Sequence, residues 1–181
     1  FQINQNLLTE EEFYLKLSDK IEMSRHLDDN MSFTEMSENI LEYPYAGNYH
    51  NVYEKGALIG MCLDIIIREN SKGKRGILSV MKELSERYGV EKPFEDDRII
   101  EEIVEMTYPE VGIFLEEHVI GADPIDYMEY FEKVGMGMIK TSVETNYLQS
   151  DGKMIVKRDR TNRTFEFTDE MLNNSFWKEA G

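Results

Sequence analysis

Histidine and cysteine are scarce in this chain, and their scarcity limits the chemistry that it can carry. The 181 residues include three histidines, His26, His50 and His118, and one cysteine, Cys62. None of the histidines begins a His-Glu-x-x-His motif, which gives a zinc peptidase two ligands on one helical face. A catalytic zinc also needs a third protein ligand. We therefore expect no metal site within this chain.

Other catalytic motifs are missing as well. The chain has no Gly-x-Ser-x-Gly motif, and Cys62 lies in an apolar run, where a thiol acts as a small hydrophobe. Gly73 and Gly76 flank basic residues, but the Gly-x-x-x-x-Gly-Lys-Ser/Thr spacing of a phosphate-binding loop is absent. Glu22 and His26 stand four residues apart, and we expect a surface ion pair there rather than a shared metal.

Positive charge is in short supply, because 20 basic residues face 36 acidic ones and the net charge is −16. Such a surface repels phosphate groups, which argues against nucleic acid and anionic membranes as partners. No apolar run reaches the ~20 residues of a membrane-spanning helix. We expect a soluble protein without membrane insertion. The chain begins at Phe1, and its sequence does not choose between the cytoplasm and the periplasm.

Four prolines and 12 glycines leave little room for a disordered linker. Apolar residues recur at helical spacing through most of the chain, with short loops between the periodic segments. This succession predicts a mainly α fold, a helical bundle over residues 1–135. The predicted helices cover residues 9–23, 34–41, 52–70, 77–88, 98–107, 109–120 and 124–134. Thr9 and Glu12, three residues apart, predict a capping box at the start of the first helix, and Asp64 and Arg68, four residues apart, can pair on one face of the third. The residues expected to face inward in the fourth helix include Leu78, Val80 and Met81.

After Gly135 the spacing of apolar residues changes from helical to alternating. Residues 139–143 alternate in polarity, and the dipeptide Asp151-Gly152 favours a tight turn. Phe165 and Phe167 share one face of a strand. We therefore expect a small β-hairpin in a C-terminal extension over residues 136–181.

The segment that begins at Tyr49 starts as a polar, aromatic loop and becomes a helix that is apolar on nearly every side. Such a helix is buried, since a surface helix has only one apolar stripe. Tyr53, at its start, is placed to line a cleft, and a phenol can stabilise the oxyanion that forms when water attacks a peptide carbonyl. Tyr49 and His50 would help to shape that cleft. The alternative is that Tyr53 packs in the core with its hydroxyl bonded to the backbone, the commoner role of such a residue.

The same segment resembles the catalytic domain of the glycyl aminopeptidase family of thermolysin-like (gluzincin) zinc metallopeptidases. The resemblance is most specific over residues 53–84 and extends more loosely over about 1–135. Asn51-Val52 departs from the family's usual Ser-Tyr, and residues 136–181 do not match its usual following domain. The matching residues are Tyr53, Lys55-Gly56-Ala57-Leu58, Leu63-Asp64, Ile67-Arg68, Ser71, Gly73, Leu78, Val80-Met81 and Leu84, with Leu8 to Glu12, Phe114 and His118 to Gly121 more loosely.

The resemblance implies that residues 1–135 form the helical C-terminal subdomain of a thermolysin-like catalytic domain. The whole protein would be a zinc-dependent aminopeptidase that hydrolyses N-terminal residues of peptides. Zinc would be held by an N-terminal part of the same protein, and Tyr53 would be the tyrosine that stabilises the transition state. This chain alone would be inactive. The alternative is a non-catalytic helical interaction or peptide-binding module of a degenerate peptidase.

Overall fold

A computed structural model of the protein describes residue 3 and residues 5–139, 148–150, 153–174 and 177. The chain forms two compact units, residues 1–138 and residues 139–181. Helices predominate among the described residues, which confirms the mainly α prediction. No helix among them is both long enough and apolar enough to cross a bilayer.

The first unit consists of seven α-helices among its described residues. The turn after α6 widens to a π-helical one, and short 3₁₀ turns precede α3 and α5. The helices are α1 (Glu10–His26), α2 (Phe33–Glu38), α3 (Asn51–Asn70), α4 (Ile77–Arg87), α5 (Ile99–Met106), α6 (Pro109–Leu115) and α7 (Tyr127–Lys133).

The helix ends follow from local hydrogen bonds. At the start of α1, the Thr9 hydroxyl accepts a hydrogen bond from the Glu12 amide at 3.2 Å, and the Glu12 carboxylate accepts one from the Thr9 amide at 2.8 Å. The predicted last helix begins at Tyr127 instead of residue 124. The reason is that the Asp126 carboxylate accepts a hydrogen bond from the Met128 amide and so caps the helix there.

The core of the first unit lies around α3, which packs against α1, α4, α6 and α7. Burial of an aliphatic side chain contributes about 1.5–3 kcal/mol relative to its exposure, so this helix supplies much of the stability of the unit. Its buried apolar residues are Leu58, Ile59, Cys62, Ile65, Ile66 and Ile67, and they meet Val111, Phe114, Leu115, Tyr127, Tyr130 and Phe131 in one cluster.

The corner between α3 and α4 is fixed by Asp64. One carboxylate oxygen, Oδ2, lies 2.6 Å from Nε of Arg68, and the other, Oδ1, accepts a hydrogen bond from the Ile77 amide at 2.7 Å. Asp64 therefore caps α4 from a neighbouring helix. Gly76 lies so close that a Cβ atom there would stand 2.5 Å from Oδ1 of Asp64. Asp64, Arg68 and Gly76 therefore each have a structural role at this corner.

Two residues of α4 that were predicted to face the core are exposed instead. Val80 is buried, as expected, but Leu78 is 68% exposed and Met81 is 57% exposed. The helix turns Val80 and Leu84, which are four residues apart, toward the core. Leu78 and Met81 then lie on the outer side, because a helix this short offers only one face to its neighbours.

The second unit contains two short antiparallel strand pairs among its described residues. β1 (Gln149–Ser150) pairs with β2 (Lys153–Met154), and β3 (Val156–Asp159) pairs with β4 (Thr164–Phe167). A 3₁₀ turn follows at Asp169–Asn173. The predicted hairpin structure is therefore present. The Asp151-Gly152 turn and residues 140–143 of the predicted alternation lie outside the described residues.

We predict that Gly76→Ala destabilises the protein by about 1–2 kcal/mol, because the new methyl group must displace the Asp64 carboxylate and so break the cap of α4. Chemical denaturation of the two proteins measures the difference. Gly60→Ala is the matched control, since a Cβ at Gly60 in the middle of α3 meets no atom within 4 Å. The control should stabilise by about 0.5–1 kcal/mol through helix propensity. A neutral or stabilising Gly76→Ala would contradict the close approach.

Candidate functional site

The start of α3 is anchored on its inner side by Asn51. Asn51 is buried, and its side-chain oxygen accepts a hydrogen bond from the hydroxyl of Ser24 at 2.9 Å. Ser24 lies near the end of α1 and is also buried. A buried polar pair of this kind is stable only when its geometry is kept, because an unpaired polar group in the interior is costly. The contact therefore holds the first turn of α3 against α1.

Lys55 provides a second anchor one turn further along α3. It is only 1% exposed. Its ammonium nitrogen lies 2.7 Å from Oδ1 of Asp29 in an ion pair that lacks the alignment of a hydrogen bond, and it donates a hydrogen bond to the Asp29 carbonyl oxygen at 3.3 Å. A buried ammonium needs such a counter-charge. The lysine of the Tyr-x-Lys-Gly-Ala-Leu pattern therefore holds the loop after α1 to α3.

The loop that carries Asp29 is itself tied to the turn before α3. The side-chain oxygen of Asn48 accepts a hydrogen bond from the Asp28 amide at 2.9 Å, and its nitrogen donates to the Asp28 carbonyl oxygen at 2.9 Å. Asn48 is buried. These two hydrogen bonds hold the turn before α3 against the loop after α1. Tyr49 and His50 lie between that turn and the first residue of α3, so their backbone is held at both ends.

The outer side of the same helix start carries the predicted site residues Tyr49, His50 and Tyr53. The hydroxyls of Tyr49 and Tyr53 form a hydrogen bond of 2.9 Å, and their rings meet edge to face at a centroid distance of 5.7 Å. The His50 ring lies 6.0 Å from that of Tyr49. The structure thus brings the three together. Tyr53 is 57% exposed, so the alternative that it packs in the core is wrong.

The tyrosine pair is suited to donating hydrogen bonds. The usual pKa of 10.0 already keeps the Tyr49 hydroxyl protonated at neutral pH, and the hydrogen bond with Tyr53 raises that pKa further. Only one of the two hydroxyls donates within the pair, and the other O–H remains able to donate to a third group. An exposed phenol pair on an anchored helix start can therefore donate to an oxyanion or to a peptide carbonyl.

Further aromatic residues precede the pair in the same loop, and sequence reasoning did not single them out. The hydroxyl of Tyr45 donates a hydrogen bond to Glu35, and Tyr43 and Leu41 are almost fully exposed. The signal in the sequence is the spacing of tyrosines at 43, 45, 49 and 53. This spacing alone does not indicate a binding site, since tyrosine at such positions is commonly a packing residue.

The described residues do not fit a zinc site. No group of three histidine, cysteine, aspartate or glutamate side chains among them could hold a metal ion. The ring of His26 contacts the Glu22 carbonyl oxygen at 2.7 Å through Nδ1, so the expected ion pair between these side chains is wrong. Nδ1 of His118 likewise contacts the Asp123 carbonyl oxygen at 2.8 Å. Both histidines satisfy backbone groups near the ends of helical segments.

We predict that Asp29→Asn destabilises the protein by about 3–5 kcal/mol, because the buried Lys55 ammonium loses its counter-charge. Adding Lys55→Met to that variant should recover part of the loss, since the uncompensated charge is then removed. Denaturation midpoints of the two single variants and the double variant measure the coupling. Glu86→Gln, which removes the exposed pair with Lys82, is the control and should change stability by less than about 1 kcal/mol. If the effects of Asp29→Asn and Lys55→Met on stability were strictly additive, that result would contradict a buried ion pair between the two residues.

We predict that Cys62 does not react with thiol reagents in the folded protein. The side chain is 0% exposed, and burial raises the pKa of its thiol to about 12, so only about one molecule in 10⁴ carries a thiolate at pH 8. Mass spectrometry after iodoacetamide treatment checks this. The same protein in guanidinium chloride is the control and should be labelled fully. Rapid labelling of the folded protein would contradict the packing around α3.

Comparison with known proteins identifies no relative. No family model matches the chain, and no curated protein or solved structure matches it either. The resemblance to the glycyl aminopeptidase family therefore stays a prediction that rests on the matching residues themselves.

Proposed function

We propose that this chain is the helical half of the active-site cleft in a zinc-dependent aminopeptidase, with Tyr53 as a hydrogen-bond donor to the oxyanion. The observation that carries the proposal is the hydroxyl pair of Tyr49 and Tyr53, 2.9 Å apart and open to solvent at the start of an otherwise buried helix. The matching residues from Tyr53 to Leu84 support the same assignment.

The chemistry that Tyr53 would supply is electrostatic. When water attacks a peptide carbonyl, negative charge develops on the carbonyl oxygen, and a donor already in position stabilises it. The anchors of α3, Asn51 on Ser24 and Lys55 on Asp29, would keep the Tyr53 hydroxyl in position during the reaction. Tyr49 would orient that hydroxyl through their shared hydrogen bond.

In this proposal zinc would be held by an N-terminal part of the same protein, as the family resemblance implies, and the described residues of this chain include no group that could hold it. No step through the metal is assigned to this chain, and the chain alone would be inactive. Residues 1–138 carry 29 acidic and 13 basic residues, a balance that would attract the positively charged amino terminus of a peptide substrate.

The second candidate is a non-catalytic module that binds peptides. Exposed apolar surface on a folded domain often marks a binding site, and Leu41, Tyr43, Tyr49 and Tyr53 are all exposed within a short segment. In this reading the tyrosine hydroxyls would donate hydrogen bonds to the backbone of a bound peptide, and no bond would be broken.

We predict that Tyr53→Phe in the full-length protein lowers kcat for aminopeptidase substrates by ~10²-fold, by analogy with the loss of one oxyanion donor. KM should change little, because the lost interaction forms in the transition state. Steady-state kinetics on chromogenic aminoacyl substrates measure both constants, and elemental analysis of the dialysed protein measures its zinc content.

Tyr49→Phe and Tyr14→Phe serve as controls for the kinetic experiment. Tyr49→Phe should have a smaller effect, since it removes only the orienting hydrogen bond. Tyr14 is an exposed tyrosine of α1, and its change to Phe should leave kcat unaltered. An unchanged kcat in Tyr53→Phe would overturn the donor role. A full-length protein without zinc or turnover, in which Tyr53→Phe weakens peptide binding, would select the binding module.

A further inference from the structure

The second unit differs from the first in its charge. Residues 139–181 carry seven acidic and seven basic residues, so the whole net charge of −16 lies in residues 1–138. Within residues 153–163 there are five basic residues and one acidic residue. The segment that runs from β2 through β3 to the turn before β4 is therefore basic in a strongly acidic protein.

Two of these basic residues are paired with carboxylates. Lys157 stands opposite Glu166 in the strand register and lies 3.4 Å from it. Lys153 lies 3.6 Å from Glu170. Both contacts lie within the second unit. They neutralise the lysines, and the remaining positive charge of the segment belongs to its arginines.

Asp159, the only acidic residue of the segment, is occupied by the turn between the strands. Its carboxylate accepts a hydrogen bond from the Thr161 amide at 2.8 Å and from the side-chain nitrogen of Asn162 at 2.7 Å. The side-chain bond from Asn162, followed by the backbone bonds, lowers the pKa of Asp159. This carboxylate holds the turn and is not close enough to an arginine to form an ion pair.

Arg158, Arg160 and Arg163 are exposed, and no carboxylate of the described residues lies within ion-pair distance of them. Arg158 stands directly opposite Phe165, so the two side chains share one face of the hairpin. Phe165 is 72% exposed. The tip of the hairpin thus combines three available guanidinium groups with an uncovered aromatic ring.

At the other end of this face Phe167, two residues along β4 from Phe165, meets the ring of Trp177 edge to face at 5.4 Å and is 55% exposed. Among the described residues β3 and β4 pair only with each other, so each strand has a free edge. A two-stranded hairpin is of marginal stability, and an added strand would complete its backbone hydrogen bonds.

We propose that the hairpin tip, formed by Arg158, Arg160, Arg163 and Phe165, binds an extended acidic peptide segment as an added strand. Alternate side chains of such a strand point to one face, where carboxylates meet the guanidinium groups and an apolar residue meets Phe165. Guanidinium binds carboxylate through two parallel hydrogen bonds, which suits this partner. The inference does not depend on the peptidase proposal.

An acidic peptide fits better than a nucleic acid or an anionic bilayer. A long polyanion is repelled by the net charge of −16 that the chain carries as a whole. A short acidic segment needs to contact only the tip, where the exposed charged side chains are those of the arginines.

The test uses the full chain and a fluorescein-labelled peptide of about eight alternating glutamate and valine residues, long enough to pair along a short strand. Fluorescence anisotropy measures the affinity. Arg158→Gln, Arg160→Gln and Arg163→Gln combined should weaken binding at least ~10-fold, the sum of three modest charge contacts. Phe165→Ser should also weaken it. The matched control combines Lys72→Gln, Lys74→Gln and Arg87→Gln, three exposed basic residues of the first unit, and should bind as the parent does.

Each other outcome overturns the proposal. Equal weakening in the control would mean that only net charge matters. Absence of peptide binding by the parent would show that the tip is a solvated surface. Tighter binding of single-stranded DNA or of phosphatidylserine vesicles through the same arginines would assign the tip to that partner instead. Circular dichroism and the emission of Trp177, the single tryptophan, verify that every variant is folded.

Discussion

The buried ion pair of Lys55 and Asp29 is the contact on which the arrangement around α3 depends. Lys55 is 1% exposed, and the loop after α1 brings Asp29 to 2.7 Å from its ammonium nitrogen, which supplies the counter-charge that a buried cation needs. That loop is tied in turn to the segment before α3 through Asn48. The position of the exposed Tyr49 and Tyr53 therefore follows from polar contacts on the opposite, buried side of the same helix.

Several of the residues that carry the family resemblance make identifiable structural contacts in this chain. Lys55 holds a loop, Asp64 caps α4, and Ser71 accepts a hydrogen bond from the Arg75 amide at 2.9 Å. Such contacts give these residue types a structural role at this spacing, whatever the protein does. Tyr53 is exposed, as the matching residues Leu78 and Met81 are, but of the three only Tyr53 carries a polar group, and its hydroxyl is hydrogen-bonded to that of Tyr49. The oxyanion role proposed above would account for a phenol at this position.

Sequence reasoning succeeded where a local rule decides the structure. The capping box of Thr9 and Glu12 and the ion pair of Asp64 and Arg68 depend on residues three or four apart, so spacing alone predicts them. It failed where long-range packing decides. The exposure of Leu78 and Met81 depends on which side of α4 meets the core, and the apolar spacing of one helix does not encode it.

The charge distribution shows why the net charge of a chain is a poor guide to its binding partners. A net charge of −16 argues against any anionic partner, yet the second unit is neutral overall, and among its described residues no carboxylate lies within ion-pair distance of Arg158, Arg160 or Arg163. The register of β3 and β4 sets part of this arrangement: Lys157 and Glu166 neutralise each other on one face, and Arg158 stands beside Phe165 on the other. A shift of the register by one residue would turn Arg158 to the opposite face from Phe165. The binding surface of the hairpin is therefore set by strand pairing, and composition does not reveal it.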